Sequence, residues 1–215
     1  MLNSKFKLFL GIALIFLFTA SIGAQTIIRV NCGGDDYGDH EGNLWYADQP
    51  YTTGGWGYVN PGYFLFYDYP ISGTSDDPLY QYEHNALDSY HFTVPNGTYV
   101  VTLKFAELYY DNEGDRVFHV DIEGSRVLSN FDILTEVGFA EALDKTFQID
   151  VSDGILDIHF ITIEVSPGVT LAHANIKAIG VVEQGSQEPK LWVNPHELNF
   201  YNFSYRQYFE IKNGG

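Results

Sequence analysis

Tyr99-Val100-Val101-Thr102-Leu103-Lys104-Phe105-Ala106-Glu107-Leu108 runs directly into Tyr109-Tyr110. Apolar and polar residues alternate through it, the pattern of a strand with one buried face, and it ends on two adjacent aromatics. The same reading predicts strands at Ile27–Val30, Asp88–Val94, Arg116–Ile122, Lys145–Val151, Ile155–Ile163 and Ala174–Val182. Turn residues separate them: Pro95-Asn96-Gly97, Asn112-Glu113-Gly114-Asp115, Glu123-Gly124 and Ser152-Asp153-Gly154. Sustained helical periodicity is nearly absent, with one short helix expected near Glu136 to Leu143. Many short strands joined by Gly, Asn and Asp turns make an all-β fold, a jelly roll or β-sandwich.

The segment from Asp35 to Asn85 has little alternation but a dense set of rings: Trp45, Tyr46, Tyr51, Trp56, Tyr58, Tyr63, Phe64, Phe66, Tyr67 and Tyr69. Such aromatic content argues against disorder, so the segment reads as loops folded onto the sandwich and offering ring faces. Gly33-Gly34, at the end of the first strand, reads as a tight turn.

The ends have their own composition. Lys5 and Lys7 precede an apolar run from Leu8 to Phe18 and then Ala20-Ser21-Ile22-Gly23-Ala24, the form of a secretory signal over residues 1–24. That run is shorter than the roughly 20 residues a membrane-spanning helix needs. Export to the outside or the cell surface, from a bacterial cell, is the expectation, with no membrane insertion once the signal is removed. A domain over 25–182 follows, then a polar linker over 183–190. Residues 191–215 resemble the opening strands of an immunoglobulin-like module, incomplete because such a module needs about seven.

Of 215 residues, 28 are acidic and 11 basic, a formal net charge of −17. Removing the two signal lysines takes it to −19 (−17 minus 2). A surface this acidic repels nucleic acid and anionic membranes, whose binding depends on Lys and Arg at phosphates. The single cysteine, Cys32, rules out an intramolecular disulfide, so the core must hold by burial. Sixteen Phe, sixteen Tyr and three Trp make that feasible, since each large ring buries about 150–250 Å². Cys32 reads as a small buried residue.

Taken in order, Val30-Asn31-Cys32-Gly33-Gly34, Leu79-Tyr80-Gln81-Tyr82-Glu83, Phe105-Ala106-Glu107-Leu108-Tyr109-Tyr110, Arg116-Val117-Phe118-His119-Val120, Asp132-Ile133 and Asn175-Ile176-Lys177-Ala178-Ile179 resemble the malectin family from about Ile27 to Val182. The resemblance implies a β-sandwich lectin, galactose-binding-like in fold, for glucose-containing oligosaccharides. Carried over residue by residue, it places the sugar against Tyr109 and Tyr110, with Trp56 in Gly54-Gly55-Trp56-Gly57 as the early loop aromatic. Where the family has an aromatic after the Leu-Tyr-Gln motif this chain has Asn85, with Tyr82 the nearest substitute. The late loop around Ser166-Pro167-Gly168 lacks the family's aspartate and has only Glu164 nearby.

Chemistry agrees with such a site. Sugars present C–H faces to flat rings and hydroxyls to polar groups, and Tyr supplies both. If Tyr109 and Tyr110 both lay on the strand they would face opposite sides; if the strand ends before them, both can reach one ligand. Trp56 reads either as a loop-tip ring in the site or as a packing anchor. Glu107, inside an apolar strand, reads as a hydrogen-bonded structural carboxylate. A glycosidase needs two carboxylates flanking the bond, and among 28 acidic residues no pair stands out, so the expectation is a binding module and not an enzyme. No cofactor is called for. Asp35-Asp36 with Asp39 and Glu41, and Asp111 with Glu113 and Asp115, read either as a structural calcium site or as acidic turns. The expected partner is an oligosaccharide or polysaccharide within a larger cell-surface assembly. The alternative is a protein-interaction or adhesion module.

Overall fold

The computed structural model describes residues 25–166, 169–170, 172–185, 193–194 and 197–198. The signal reading at 1–24, the linker from 186 onward and nearly all of the immunoglobulin-like stretch lie outside them.

In chain order the strands are β1 (Ile27–Asn31), β2 (Tyr37–Gly38), β3 (Leu44–Ala47), β4 (Trp56–Tyr58), β5 (Tyr63–Phe66), β6 (Tyr82–Asn85), β7 (Ser89–Thr93), β8 (Gly97–Phe105) and β9 (Phe118–Ile122). They continue as β10 (Ser125–Phe131), β11 (Leu143–Val151), β12 (Ile155–Thr162), β13 (Glu164–Ser166), β14 (Val169–Thr170), β15 (Asn175–Ile176), β16 (Ala178–Glu183), β17 (Val193–Asn194) and β18 (Glu197–Leu198). Two short helices interrupt them, α1 (Pro78–Gln81) and α2 (Ile133–Val137).

Two sheets make the sandwich. One has the order β11-β8-β16-β1-β3-β2, the other β10-β9-β12-β7-β4. Along β8 every second residue points inward, so Tyr99, Val101, Leu103 and Phe105 are fully buried while Thr102 and Lys104 face outward. Phe118, Val120 and Ile122 of β9 and Leu156, Ile158 and Phe160 of β12 close the core from the other sheet. The all-β sandwich expected from alternation is the observed fold.

The Asp35–Asn85 segment departs from the loop reading. It contributes β2 to β6 and α1, short strands that widen both sheets and build a third, β15-β6-β5. Alternation fails to show there because each strand spans only two to four residues, too few for a period to declare itself. The helix also moves. Asp132, not Glu136, sets it: its carboxylate accepts hydrogen bonds from the Leu134 and Thr135 N–H groups, an N-cap. Gly138, with φ of +91°, ends it, and Leu143 already pairs with Phe105 in β11. The predicted strand Ala174–Val182 is two strands that bend at Lys177, β15 pairing with β6 and β16 joining the sandwich.

Gly33 shows why the first turn is glycine. Its φ is +77°, and a Cβ there would lie 2.6 Å from the Glu83 carbonyl oxygen. The turn is thus pressed onto β6, and the Gly33 N–H reaches Asp48 Oδ2 at 2.8 Å. Cys32 is fully buried beside it, as expected, and burial pushes its thiol well above the usual range.

Candidate functional site

β8 ends at Phe105, so the aromatic pair stands in the loop beyond it. Of the two readings of Tyr109 and Tyr110, the loop reading holds. Their ring centroids are 4.8 Å apart at an interplanar angle of 84°, which puts both on one side. Tyr109 is 65% exposed and Tyr110 half-buried.

Glu107 holds them there. It is 1% exposed, and its Oε1 accepts hydrogen bonds from the Tyr109 N–H at 3.0 Å and the Tyr110 N–H at 3.1 Å. Its Oε2 lies 2.7 Å from Arg116 Nε; the N–H is not aimed along that contact, so it is an ion pair and not a hydrogen bond. Arg116 Nη1 donates to the His173 carbonyl at 2.8 Å, and the guanidinium lies 5.1 Å from the centroid of the Tyr110 ring, within cation–π range. The structural role expected of Glu107 is therefore specific: one buried carboxylate fixes two consecutive backbone N–H groups and the cation packed against the second ring.

The three-stranded sheet supplies the neighbouring wall. Successive residues of a strand face opposite sides, so Glu83 and Asn85 of β6 share one face with Leu65 and Tyr63 of β5, their register partners. Asn175 lies opposite Asn85 on β15. On this face the Glu83 carboxylate accepts hydrogen bonds from Lys177 Nζ at 2.5 Å and from Asn85 and Asn175 Nδ2 at 3.0 Å each. Glu83, Lys177 and Asn175 are wholly buried. Burial alone would raise the Glu83 carboxyl, but the charges of Lys177 and Arg116 outweigh it and hold the group below its ordinary value. Burial lowers the Lys177 ammonium, with Glu83 opposing.

Tyr67 joins the wall to the aromatic pair. Its N–H continues the β5–β6 ladder to the Gln81 carbonyl at 3.0 Å, and Lys177 Nζ lies 5.5 Å from its ring centroid. Burial, then the Glu83 charge, pushes its hydroxyl up to about 12, with Glu107 and Tyr109 adding and Arg116 opposing. The Tyr67 ring also packs against the buried cluster that includes Ala106 and Leu108, at the base of the aromatic loop. The result is a shelf of Tyr63, Leu65, Tyr67, Tyr109 and Tyr110 above a buried layer of two carboxylates and two cations.

Asn85 sits on this shelf. The ring absent at its position is offered from across the register by Tyr63, 65% exposed, and Gly62 lets the chain pass there, since a Cβ would lie 2.3 Å from the Asn85 carbonyl oxygen. Tyr82 does not substitute. It faces the other side of the sheet, where its ring meets Phe66 at 4.8 Å, because it lies three positions from Asn85 in a strand of period two. Trp56 is not a loop tip: it opens β4 opposite Phe92, packs against the core and meets Tyr46 at 6.2 Å. Among the described residues no ring contact links it to Tyr109, Tyr110 or Tyr82. β13 and β14 flank the late loop, whose Pro167 and Gly168 lie outside the described residues. Sequence reasoning missed Tyr63, Tyr67, Glu83, Arg116 and Lys177 as parts of one site. The spacing of Tyr63, Leu65 and Tyr67 at every second residue was the available signal.

The acidic clusters cap turns. Asp39 accepts hydrogen bonds from Trp45 Nε1, from the Asn43 amide and from the Asn43 and Glu41 N–H groups, and Asp36 from the Ala47 N–H. Asp115 and Asp111 hold the Asn112 amide. Among the described residues no group of three or more His, Cys, Asp and Glu is arranged to hold a metal ion.

Comparison with known proteins places this geometry. Malectin-A of Xenopus laevis is 31% identical over 144 residues, which are 65% of this chain and 50% of that protein; the chain spans about half the length of the curated relatives it matches. Among solved structures, beta-glucuronidase 2 of Bacteroides uniformis superposes with a TM-score of 0.65 at 26% identity, over 74% of this chain and 18% of that one. The ANXUR2 extracellular domain of Arabidopsis thaliana shares the fold, with a TM-score of 0.62 at 19% identity, over 74% of this chain and 48% of that one. The malectin domain profile matches residues 26–179, from the first strand of the sandwich into β16 and across every residue of the shelf, and the chain belongs to the malectin domain family.

Proposed function

We propose that this protein is a non-catalytic carbohydrate-binding module that takes glucose-containing or related oligosaccharides on the Tyr109–Tyr110 shelf. One observation carries the reading: Glu107 fixes both backbone N–H groups, so two rings stand pre-oriented at the surface before any ligand arrives. Rigid aromatics bind sugar faces at low entropic penalty because little freedom remains to be lost. Asn85 and the tyrosine hydroxyls supply polar contacts for sugar hydroxyls. The carboxylates under the shelf, Glu83 and Glu107, are buried and engaged by cations and N–H groups, an arrangement that favours binding over acid–base chemistry.

A glycan array probed with the full chain tests this, with Tyr109→Ala/Tyr110→Ala as the paired variant. Binding to gluco-oligosaccharides that is lost in the variant is the expected result; a blank array from folded protein overturns it. Residues 1–24 are read as an export signal, with the mature protein secreted or at the cell surface in a larger assembly. Sequencing the N-terminus of the exported protein checks the signal, with Gln25 as the expected first residue.

A second reading, a protein-interaction module, is favoured by β5, an edge strand of the third sheet with all four residues, Tyr63, Phe64, Leu65 and Phe66, exposed. Edges of this kind accept a further strand. A protein partner that excess oligosaccharide fails to displace would favour it.

A further inference from the structure

The shelf does not stop at the aromatic pair. Tyr63, Leu65 and Tyr67 follow one another along the edge of the third sheet, and four residue steps at about 3.3 Å each span roughly 13 Å, longer than a disaccharide. Antiparallel ladders alternate bonded and outward-facing residues. With the Tyr67 N–H bonded to Gln81, the N–H and C=O groups of Phe64 and Phe66 point away from β6 along the open edge of the sheet, with no further strand beside them among the described residues.

Beyond Tyr67 the chain turns, with the Tyr69 N–H bonded to the Tyr67 carbonyl at 2.9 Å. Gln81 Nε2 holds the Tyr69 carbonyl at 2.8 Å, and the Tyr69 ring meets Phe139 at 5.4 Å. Phe139 is bridged to Glu107 in the backbone, with the Ala140 N–H bonded to the Glu107 carbonyl, so this second exposed pair stands beside the Tyr109 loop. Tyr69 and Phe139 are each 43% exposed, large rings that no part of the described core covers. Exposed rings on neighbouring segments, rimmed by polar groups, are a feature of ligand-binding grooves.

We propose that the ligand is a linear oligosaccharide of four or more units bound along its length, running beside β5 and over the Tyr69–Phe139 pair, and not a terminal mono- or disaccharide held by Tyr109 and Tyr110 alone. The outward backbone groups of Phe64 and Phe66 receive hydroxyls of the units that extend past the pair. The proposal rests on the carbohydrate-binding reading above.

Titration calorimetry of the full chain with maltose through maltohexaose, and with the β-1,3-linked glucose series of the same lengths, tests it. The expected result in at least one series is a Kd that falls about tenfold or more between two and six units. Phe139→Ala should weaken the six-unit ligand by about fivefold while changing the two-unit ligand by less than twofold. Equal affinities across both series, or a Phe139→Ala effect that is the same at both lengths, overturns the extended site and leaves the carbohydrate reading intact. Absence of binding at every length, from a folded protein, overturns the carbohydrate reading and this proposal with it.

Discussion

The sandwich interior and the layer under the shelf are both fully buried, yet they are built from opposite chemistry. Between the two large sheets lie Val101, Leu103, Phe105, Phe118, Leu156 and Ile158, residues that pack without directional demands. Under the shelf lie Glu83, Lys177, Asn175, Glu107 and Arg116, each of which must meet a partner at a set distance and angle. An apolar core tolerates rearrangement of similar volumes. A buried charged layer does not, because an unmet charge in a low-dielectric interior is severely penalised. The lesson is a division of labour: the sandwich supplies cohesion, and the charged layer supplies the fixed geometry on which exposed rings can stand.

That contrast can be broken from its strongest point. Lys177→Met removes the partner of a wholly buried carboxylate and should destabilise the protein by about 3–5 kcal/mol. Combining it with Glu83→Leu should recover much of that loss, because no lone charge is then left buried; urea unfolding of both variants decides. If the double variant is no better than the single, the charged layer is not a coupled pair. Leu103→Ala, in the sandwich, should lower stability by about 3 kcal/mol through the cavity it leaves. Its oligosaccharide affinity, measured where the variant is still folded, should stay within about twofold of the parent.

Glu107→Gln sharpens the comparison at the boundary between the two regions. It retains one acceptor for the Tyr109 and Tyr110 N–H groups but removes the charge facing Arg116. Stability should fall by about 1–3 kcal/mol, and affinity only by about threefold, because the acceptor for both N–H groups stays while the Arg116 cation packed against the Tyr110 ring loses its counter-charge. Tyr109→Ala should do the reverse of Leu103→Ala: stability within about 0.5 kcal/mol, as for an exposed residue, and binding weakened by tenfold or more. Calorimetric binding and thermal melting on the same samples separate the three patterns of Leu103→Ala, Glu107→Gln and Tyr109→Ala.

The smallest effects are those of pH. The Glu83 carboxyl is held below its ordinary 4.5 and Asp76 below 3.8, where hydrogen bonds and the charge of His40 outweigh burial. Groups lowered in the folded state contribute stability above their unfolded values, and that contribution disappears as pH falls through the folded ones. Stability should therefore decline below about pH 4.5. His40 runs the other way. The Asp76 carboxylate raises it above 6.5, so its contribution is complete below that pH and vanishes as pH rises through the folded value. His40→Ala should abolish a slight loss of stability between neutral and mildly alkaline pH, seen as a flatter melting profile there.

Much of the sandwich was legible because long strands declare their period. β8 and β12 alternate over eight or nine residues, and their predicted positions agree with the structure to within three residues. The segment from Asp35 to Asn85 was not legible because its strands are too short to show a period and pair with partners far along the chain. Tyr109 and Tyr110 could be picked out from the sequence, but whether both rings shared a side depended on where β8 stopped. Strand phase decides two further positions: it turns Tyr82 to the other face of the sheet from Asn85, and of the two readings of Trp56 the packing anchor is the one that β4 and the core contacts support.

Composition and local pattern alone determined an acidic, disulfide-free, all-β chain with an aromatic-rich segment and a buried role for Glu107, because these follow from charge count, cysteine count and residue period. Only the tertiary structure decided that Glu83 meets Lys177 across 94 residues of chain, that Tyr63 stands opposite Asn85, and that Tyr67 packs over Lys177 and against the cluster of Ala106 and Leu108. The reason is physical. A buried charge is tolerable only beside its counter-charge, and which residues become neighbours is set by strand register and by the bend at Lys177, neither of which is written in any short stretch of the sequence.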